Sequence, residues 1–308
     1  MHPFRFAVHT GGGRLTHDFP ALVRRTEELG YDALYVTDHL GRQLSPIAAL
    51  ATAAALTSRI RIGAYVFAND FRHPLILARE AATLDVLSGG RLDLGLGAGW
   101  MRSDYRRIGM PYDRPGLRID RLEEALGLIK RLLSGEAVTH EGRFYRLEGA
   151  RVGPLPVQRP HPPIMLGGGG PRLLRMAARE AQIVGFAPQM GTAGRPMLRT
   201  TTESALADRV AVVRAAAGPR FELLELNVFV ADAGVVGDGQ PLPASLSALV
   251  KSAGPAAVGG SPYLLYGTAS QLRERLLRRR ERLGITAYGI PASAMEAFAP
   301  IVERLRDR

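Results

Sequence analysis

The 308-residue chain has no cysteine, which excludes disulfides, thiolate metal sites and a cysteine nucleophile. Aromatic residues make up only 6% of it, and Lys130 and Lys251 are the only lysines among 40 basic residues. Forty basic against 29 acidic residues leave a net charge of +11, carried almost wholly by arginine. A nucleic-acid surface would cluster those arginines and interleave aromatics. Here they are scattered, and the densest run, Arg273 to Arg282, alternates with Leu272, Leu276 and Leu283 as a solvated helix face would. No stretch approaches the roughly 20 apolar residues of a membrane helix. Met1–Thr10 reads as a short strand and not as a secretory leader. With the absent cysteines, this predicts a cytoplasmic protein. Metal chemistry is poorly served too: His2, His9, His17, His39, His73, His140 and His161 are dispersed, with no H-x-H and no H-E-x-x-H, so no metal is expected. The G-x-S-x-G elbow of serine hydrolases is also missing.

What is present is an alternation of strand and helix over the whole length. Strands are predicted at Phe4–Thr10, Ala33–Val36, Ile60–Phe67, Leu92–Leu96, Ile164–Leu166, Ile183–Ala187, Leu223–Val230 and Ile285–Ile290. Helices are predicted after them: one capped by Asp18 and ended by Gly30, then Ser45-Pro46 to Thr57, His73-Pro74 to Ser88 and Arg118–Leu133. Pro171–Glu180, Thr202–Ala217, Ser270–Leu283 and Met295–Arg306 complete the set. Gly135 to Pro163 reads as a hairpin-like excursion, and Asp232 to Gly267 as a Gly/Pro/Ser-rich stretch with at most one short helix. The strands are nearly all apolar rather than alternating, as in parallel sheets buried on both faces. Eight of them, each followed by a helix, predict a (β/α)₈ TIM barrel, with an open doubly wound sheet as the alternative. No linker divides the chain, so residues 1–308 are expected to form one domain. The irregular stretches follow strands, as insertions at the C-terminal mouth of a barrel do.

Strand ends therefore carry the candidate chemistry. Asp38-His39 ends strand two, where a carboxylate beside an imidazole gives either an oriented proton-exchanging group or a capping Asp next to a surface His. Gly167, Gly168, Gly169 and Gly170 lie between a strand and Pro171. They are either a backbone anion site at a helix N-terminus or a flexible turn. Gly95 to Gly99 alternates glycine along a strand end, for the close approach of something flat or for tight wall packing. Trp100 follows, as a pocket wall or as a core plug.

These residues also resemble a known family. Asp38-His39, the block RHPLILAREAATLDVLSGGRLDLGLGAGW from Arg72 to Trp100 with Asp104-Tyr105 after it, and PPIMLGGGGPRLLRMAAREA from Pro162 to Ala181 resemble the luciferase-like flavin-barrel superfamily. The likeness runs from residue 4 to about residue 190. Within it the chain is most similar to the branch that uses coenzyme F420, a 5-deazaflavin. The resemblance implies an F420-dependent oxidoreductase passing a hydride between cofactor and a small organic substrate. His39 would be the acid/base, with Asp38 beside it. Tyr65-Val66 would be a non-prolyl cis peptide backing the ring, with Asn69, Gly97, Ala98 and Gly99 lining it, and Gly167 to Gly170 would hold the phosphate. His9, Phe67 and Trp100 would wall the substrate side. Family members are often homodimers, and a separate reductase supplies reduced cofactor. Two alternatives remain: an FMNH₂-dependent two-component monooxygenase of the same superfamily, and a non-catalytic flavin-binding barrel. One departure stands out. Sugar-phosphate dehydrogenases of the branch carry Glu where this chain has Trp100, and neither lysine matches their phosphate-binding lysines, which argues against glucose 6-phosphate. The loops Met101–Pro115, Met190–Thr201 and Asp232–Tyr266, where the likeness fades, are expected to set the substrate.

Overall fold

Short buried strands and longer helices alternate through the computed structural model, which describes residues 2–11, 18–191, 195–237 and 259–306. The chain opens with β1 (Arg5–His9), α1 (Phe19–Glu28), β2 (Ala33–Val36), α2 (Pro46–Leu56), β3 (Arg61–Ala64), β4 (Phe67–Ala68), α3 (Pro74–Leu87) and β5 (Leu92–Gly97). It continues with α4 (Arg102–Arg107), α5 (Pro115–Leu133), β6 (Val138–Glu141), β7 (Arg146–Ala150), β8 (Ile164–Gly168), α6 (Pro171–Glu180), β9 (Ile183–Phe186) and α7 (Glu203–Ala217). It ends with β10 (Glu225–Phe229), β11 (Asp232–Val235), β12 (Leu264–Gly267), α8 (Ala269–Leu283), β13 (Ala287–Pro291) and α9 (Met295–Leu305). Caps fall where the sequence placed them. The Asp18 carboxylate accepts from the Ala21 N–H at 2.9 Å, Pro46 and Pro171 open their helices, and Thr268 forms a capping box with Gln271 ahead of α8.

The chain divides into two compact units. The first holds β1, residues 25–33 and everything from Gly167 onward. In it β1 pairs with β13, β13 with β10 and β10 with β9, all parallel. The second holds residues 18–24 and 34–166, where β5 pairs in parallel with β3, with β4 and with Ile164–Leu166. Every residue of β2, β5, β9 and β13 is buried, which explains why these strands read as nearly continuous apolar runs; the one buried charge among them, Asp93 of β5, accepts from Tyr35 at 2.8 Å and from Arg61 at 2.7 Å.

Three expectations change and one is met. The predicted strand Ile60–Phe67 is broken into β3 and β4 by a cis Tyr65–Val66 peptide. The hairpin-like excursion expected after α5 is the antiparallel hairpin β6–β7. The stretch from Asp232 holds a parallel pair, β11 with β12, that its Gly/Pro/Ser content concealed. The short helix allowed for in that stretch, part of the loop Asp232–Tyr266 and part of Met190–Thr201 lie outside the described residues, at 238–258 and 192–194. Finally, α8 is not a purely solvated basic face. Arg279 is fully buried on the same stripe as Leu272, Leu276 and Leu283, its Nε donating to Glu203 at 3.1 Å and its Nη2 to the Ser261 carbonyl at 3.2 Å. The i, i+4, i+7, i+11 spacing carried that signal, but the charge outweighed it.

Candidate functional site

His39, in the second unit, follows β2 and keeps part of its ring exposed. Its Nδ1 lies 2.8 Å from Oδ2 of Asp104, a buried carboxylate on α4 whose other oxygen accepts from Arg107 Nη1 at 2.9 Å. A carboxylate can only accept, so the neutral ring carries its proton on Nδ1 and leaves Nε2 to exchange one. Trp100 meets the ring edge-on, with centroids 5.4 Å apart and planes at 86°. Trp100 is 37% exposed, so it is no core plug.

Asp38 does not reach the His39 ring by a hydrogen bond. It is buried and bidentate to Arg72, at 2.5 Å from Nη1 and 3.1 Å from Nη2, and it also accepts from the Ala68 N–H at 2.9 Å. It thus ties the end of β2 to the end of β4, and the orienting role expected of it falls to Asp104. Nothing in the sequence ties Asp104 to His39, because 65 residues separate the two.

The rest of this unit's expected residues gather around β4 and β5. The Tyr65 N–H donates to the Val36 carbonyl at 2.9 Å, and Asn69 is buried with its Nδ2 donating to Tyr145 of the β6–β7 hairpin at 3.1 Å. Phe67 is fully buried beneath the Arg72 guanidinium, 5.1 Å from its ring centroid, and presents no face to a substrate. The glycine alternation has a packing cause at two positions. A Cβ on Gly95 would collide with the Ala64 carbonyl, and one on Gly99, at φ +73°, with the Tyr105 hydroxyl. Gly97 is buried in β5 with Cα partner Ala68, and Ala98 follows it, its carbonyl 3.5 Å from the Tyr105 hydroxyl. That hydroxyl donates to Asp70 at 2.9 Å, and burial first, then the Asp70 charge, push the phenol well above its ordinary range. Arg121 joins Asp70, at 2.7 Å, to Asp113, at 2.5 Å.

The first unit carries the four-glycine run. Gly167 and Gly168 close β8, and Gly170 is the N-cap of α6 with no side-chain cap, so N–H groups of the first turn are left for another partner. A Cβ on Gly169 would lie 2.5 Å from the Ala187 carbonyl oxygen, one on Gly168 would strike Leu173, and space around Gly170 is open. Beside the run lies a pocket of about 180 Å³ lined by Gly169, Pro171, Gln189, Thr200, Asp208 and Arg209 among others. Gln189 Nε2 donates to the Gly169 carbonyl at 3.1 Å, and the buried Arg209 donates to the carbonyls of Thr200 and Ala187 and to the Tyr263 hydroxyl. None of these side chains announced itself by spacing. His9 is not a substrate wall. It is fully buried and stacked on Phe229 at 4.4 Å, its Nε2 donating to the Val230 carbonyl at 2.8 Å and its Nδ1 accepting from the Gly11 N–H at 3.1 Å. Burial lowers its pKa to about 4. Among the described residues no cluster of three metal-ligating side chains occurs, and no helix is long and apolar enough to cross a membrane.

A family model described as luciferase-like monooxygenase matches residues 1–221. An F420-dependent glucose-6-phosphate dehydrogenase of Microbacterium testaceum is 35% identical over 164 residues, 51% of this chain and 48% of that one. The chain thus spans about half the length of that curated relative. Among solved structures, an F420-dependent secondary alcohol dehydrogenase in complex with an F420-acetone adduct superposes with a TM-score of 0.79 at 17% identity, over 99% of this chain and 100% of that one. The monooxygenase RslO1 from Streptomyces bottropensis gives 0.77 at 23%, over 97% and 99%. The fold is therefore the (β/α)₈ barrel that the strand alternation predicted.

Proposed function

The chain belongs to the luciferase-like monooxygenase family, and we propose that it is an F420-dependent oxidoreductase moving a hydride between the deazaflavin and a small organic substrate. Two features support the cofactor: the F420-dependent relative named above, and a chain that offers both an uncapped glycine helix start and a glycine-edged strand end. In this reading Gly167, Gly168, Gly169 and Gly170 hold the phosphate through backbone N–H groups and the positive end of the α6 dipole, worth about half a unit charge. Tyr65, Val66, Asn69, Gly97, Ala98 and Gly99 support the ring. When bound, a deazaflavin supplies a hydride from carbon and lacks the nitrogen through which flavins activate oxygen.

The observation that carries the chemistry is the His39–Asp104 pair. Asp104 holds Nδ1–H, fixing ring and tautomer, and Nε2 exchanges a proton with the substrate oxygen as hydride moves to or from the adjacent carbon. Residues 1–308 acting as one domain, a homodimer, a cytoplasmic location and a separate reductase feeding reduced cofactor belong to the same proposal. Full-length likeness to a monooxygenase favours one rival, FMNH₂-dependent oxygenation. Side-by-side titration with F420 and FMN, followed by cofactor fluorescence, separates the two. Tight F420 and weak FMN binding is expected, and the reverse replaces this reading with the monooxygenase.

A further inference from the structure

We infer that the substrate meeting His39 is an uncharged, largely apolar carbonyl compound, and that Trp100 is the residue that selects it. This rests on the reading of His39 as the proton-exchanging group. Trp100 stands edge-on to that ring at 5.4 Å, and its backbone is held by two neighbours. The Trp100 carbonyl accepts from the Tyr112 hydroxyl at 2.8 Å, and the preceding Gly99 is held against Tyr105, which is itself bound to Asp70. Leu40, Leu44, Trp100, Ile108 and Tyr112 are five of the eleven exposed large hydrophobic side chains among the described residues. All five fall in the two short segments that carry His39 and Asp104. Of these, Trp100 touches the ring itself, and exposed apolar side chains gathered on the two segments that supply the proton-exchanging pair fit a ligand with little polar surface.

Charge points the same way. A phosphate or carboxylate leaving water beside His39 needs cations free to receive it. Arg72 is engaged by Asp38, Arg107 by Asp104, and Arg121 by Asp70 and Asp113. Arg118 donates to the Asp113 carbonyl and lies over the Tyr112 ring at 4.2 Å. Arg102 and Arg106 are exposed two positions either side of Asp104, hence on the opposite side of α4 from the carboxylate that faces His39. Arg42, three residues past His39, is exposed and stays in water, where it offsets little of the cost of desolvating an anion. The charge that touches the His39 ring is the Asp104 carboxylate, itself paired with Arg107.

Trp100 is the only tryptophan, so the emission of the full chain reports this position alone. Emission is followed while 2-cyclohexen-1-one or glucose 6-phosphate is titrated, with and without F420. The proposal expects a saturable change with the enone at a concentration roughly tenfold or more below any response to the sugar phosphate. Linear, unsaturable quenching by the enone, or tighter binding of the sugar phosphate, overturns it. A spectrum that shifts with protein concentration and ignores the enone also overturns it, putting a second copy on this surface. F420 binding is read separately from cofactor fluorescence, so failure of the cofactor reading leaves the Trp100 result legible. Equilibrium dialysis of the enone extends the comparison to W100F, expected to retain binding, and W100E, expected to weaken it roughly tenfold at unchanged Tm. W100S replaces W100E should that variant fail to melt cooperatively. Equal enone binding by W100F and the polar variant removes Trp100 as the selecting residue.

Discussion

His39 Nδ1 and Asp104 Oδ2 sit 2.8 Å apart, the ring partly exposed and the carboxylate buried. One group faces solvent and the other is held by the fold, the arrangement in which a carboxylate sets a tautomer without itself meeting substrate. H39A is expected to lower kcat by about 10²–10⁴. In D104N the amide can donate to Nδ1 and so favour the opposite tautomer, and a loss of about 10²-fold in kcat is expected with F420 affinity unchanged. Near-normal turnover in D104N would remove the pair from the mechanism.

Asp38 predicts a different phenotype from its neighbour. Replacing it with Asn leaves the guanidinium of Arg72, which is mostly buried, without its counter-charge. Breaking a buried pair in this way costs about 3–5 kcal/mol. Urea unfolding of D38N should show that loss whether or not substrate is present. A variant as stable as the parent but without turnover would return Asp38 to a catalytic role.

The contrast between these two aspartates marks what the sequence could and could not tell. Element order was legible because buried parallel strands and capped helices leave strong local patterns, as at Ser45-Pro46 and at Gly170-Pro171. Adjacency in sequence suggested that Asp38 serves His39. In the fold, Asp38 and His39 lie just past β2 and take different partners: Asp38 turns toward Arg72, and the partner of His39 arrives from a six-residue helix within a stretch read as loop. Nothing local marks Gln189, Thr200 or Arg209 as neighbours of Gly169, since the chain brings them together only through β9 and α7. His9 and Phe67 depart from expectation for the opposite reason. The mouth of a barrel was expected to expose strand-end side chains, but these two pack inward.

The glycine run makes two opposed predictions at adjacent positions. A methyl on Gly169 meets the Ala187 carbonyl, backbone that cannot turn aside, whereas Gly170 has open space and a backbone that β-branched residues adopt. G169A should therefore lower Tm. G170V should keep Tm but weaken F420 binding by roughly tenfold or more, because it covers N–H groups at the α6 start. Unchanged F420 affinity in a G170V protein that melts normally would move the phosphate elsewhere.

Acid stability should carry the signature of His9. The folded ring is neutral with Nε2–H bonded to Val230 and Nδ1 accepting from Gly11, so protonation must break the Gly11 bond inside a buried stack. Its folded pKa is about 4 against 6.5 for the free side chain. Above pH 6.5 neither state is protonated and His9 adds no slope. Between 6.5 and 4 only the unfolded chain takes up the proton, so stability falls as pH drops, by about 1.4 kcal/mol per unit at most. Below 4 both states are protonated and this contribution levels off, after a total of about 3 kcal/mol. Gln at position 9 can still donate to the Val230 carbonyl but cannot titrate. H9Q should be less stable than the parent at pH 7, where the Phe229 stack is lost, yet its urea midpoint should fall less steeply from pH 6.5 to 4. Carboxylates elsewhere, such as the partly buried Asp32 whose pKa is raised by desolvation, titrate equally in both proteins. The difference between the two pH profiles therefore isolates His9, and parallel profiles would show that its ring is protonated as readily in the folded protein as in the unfolded chain.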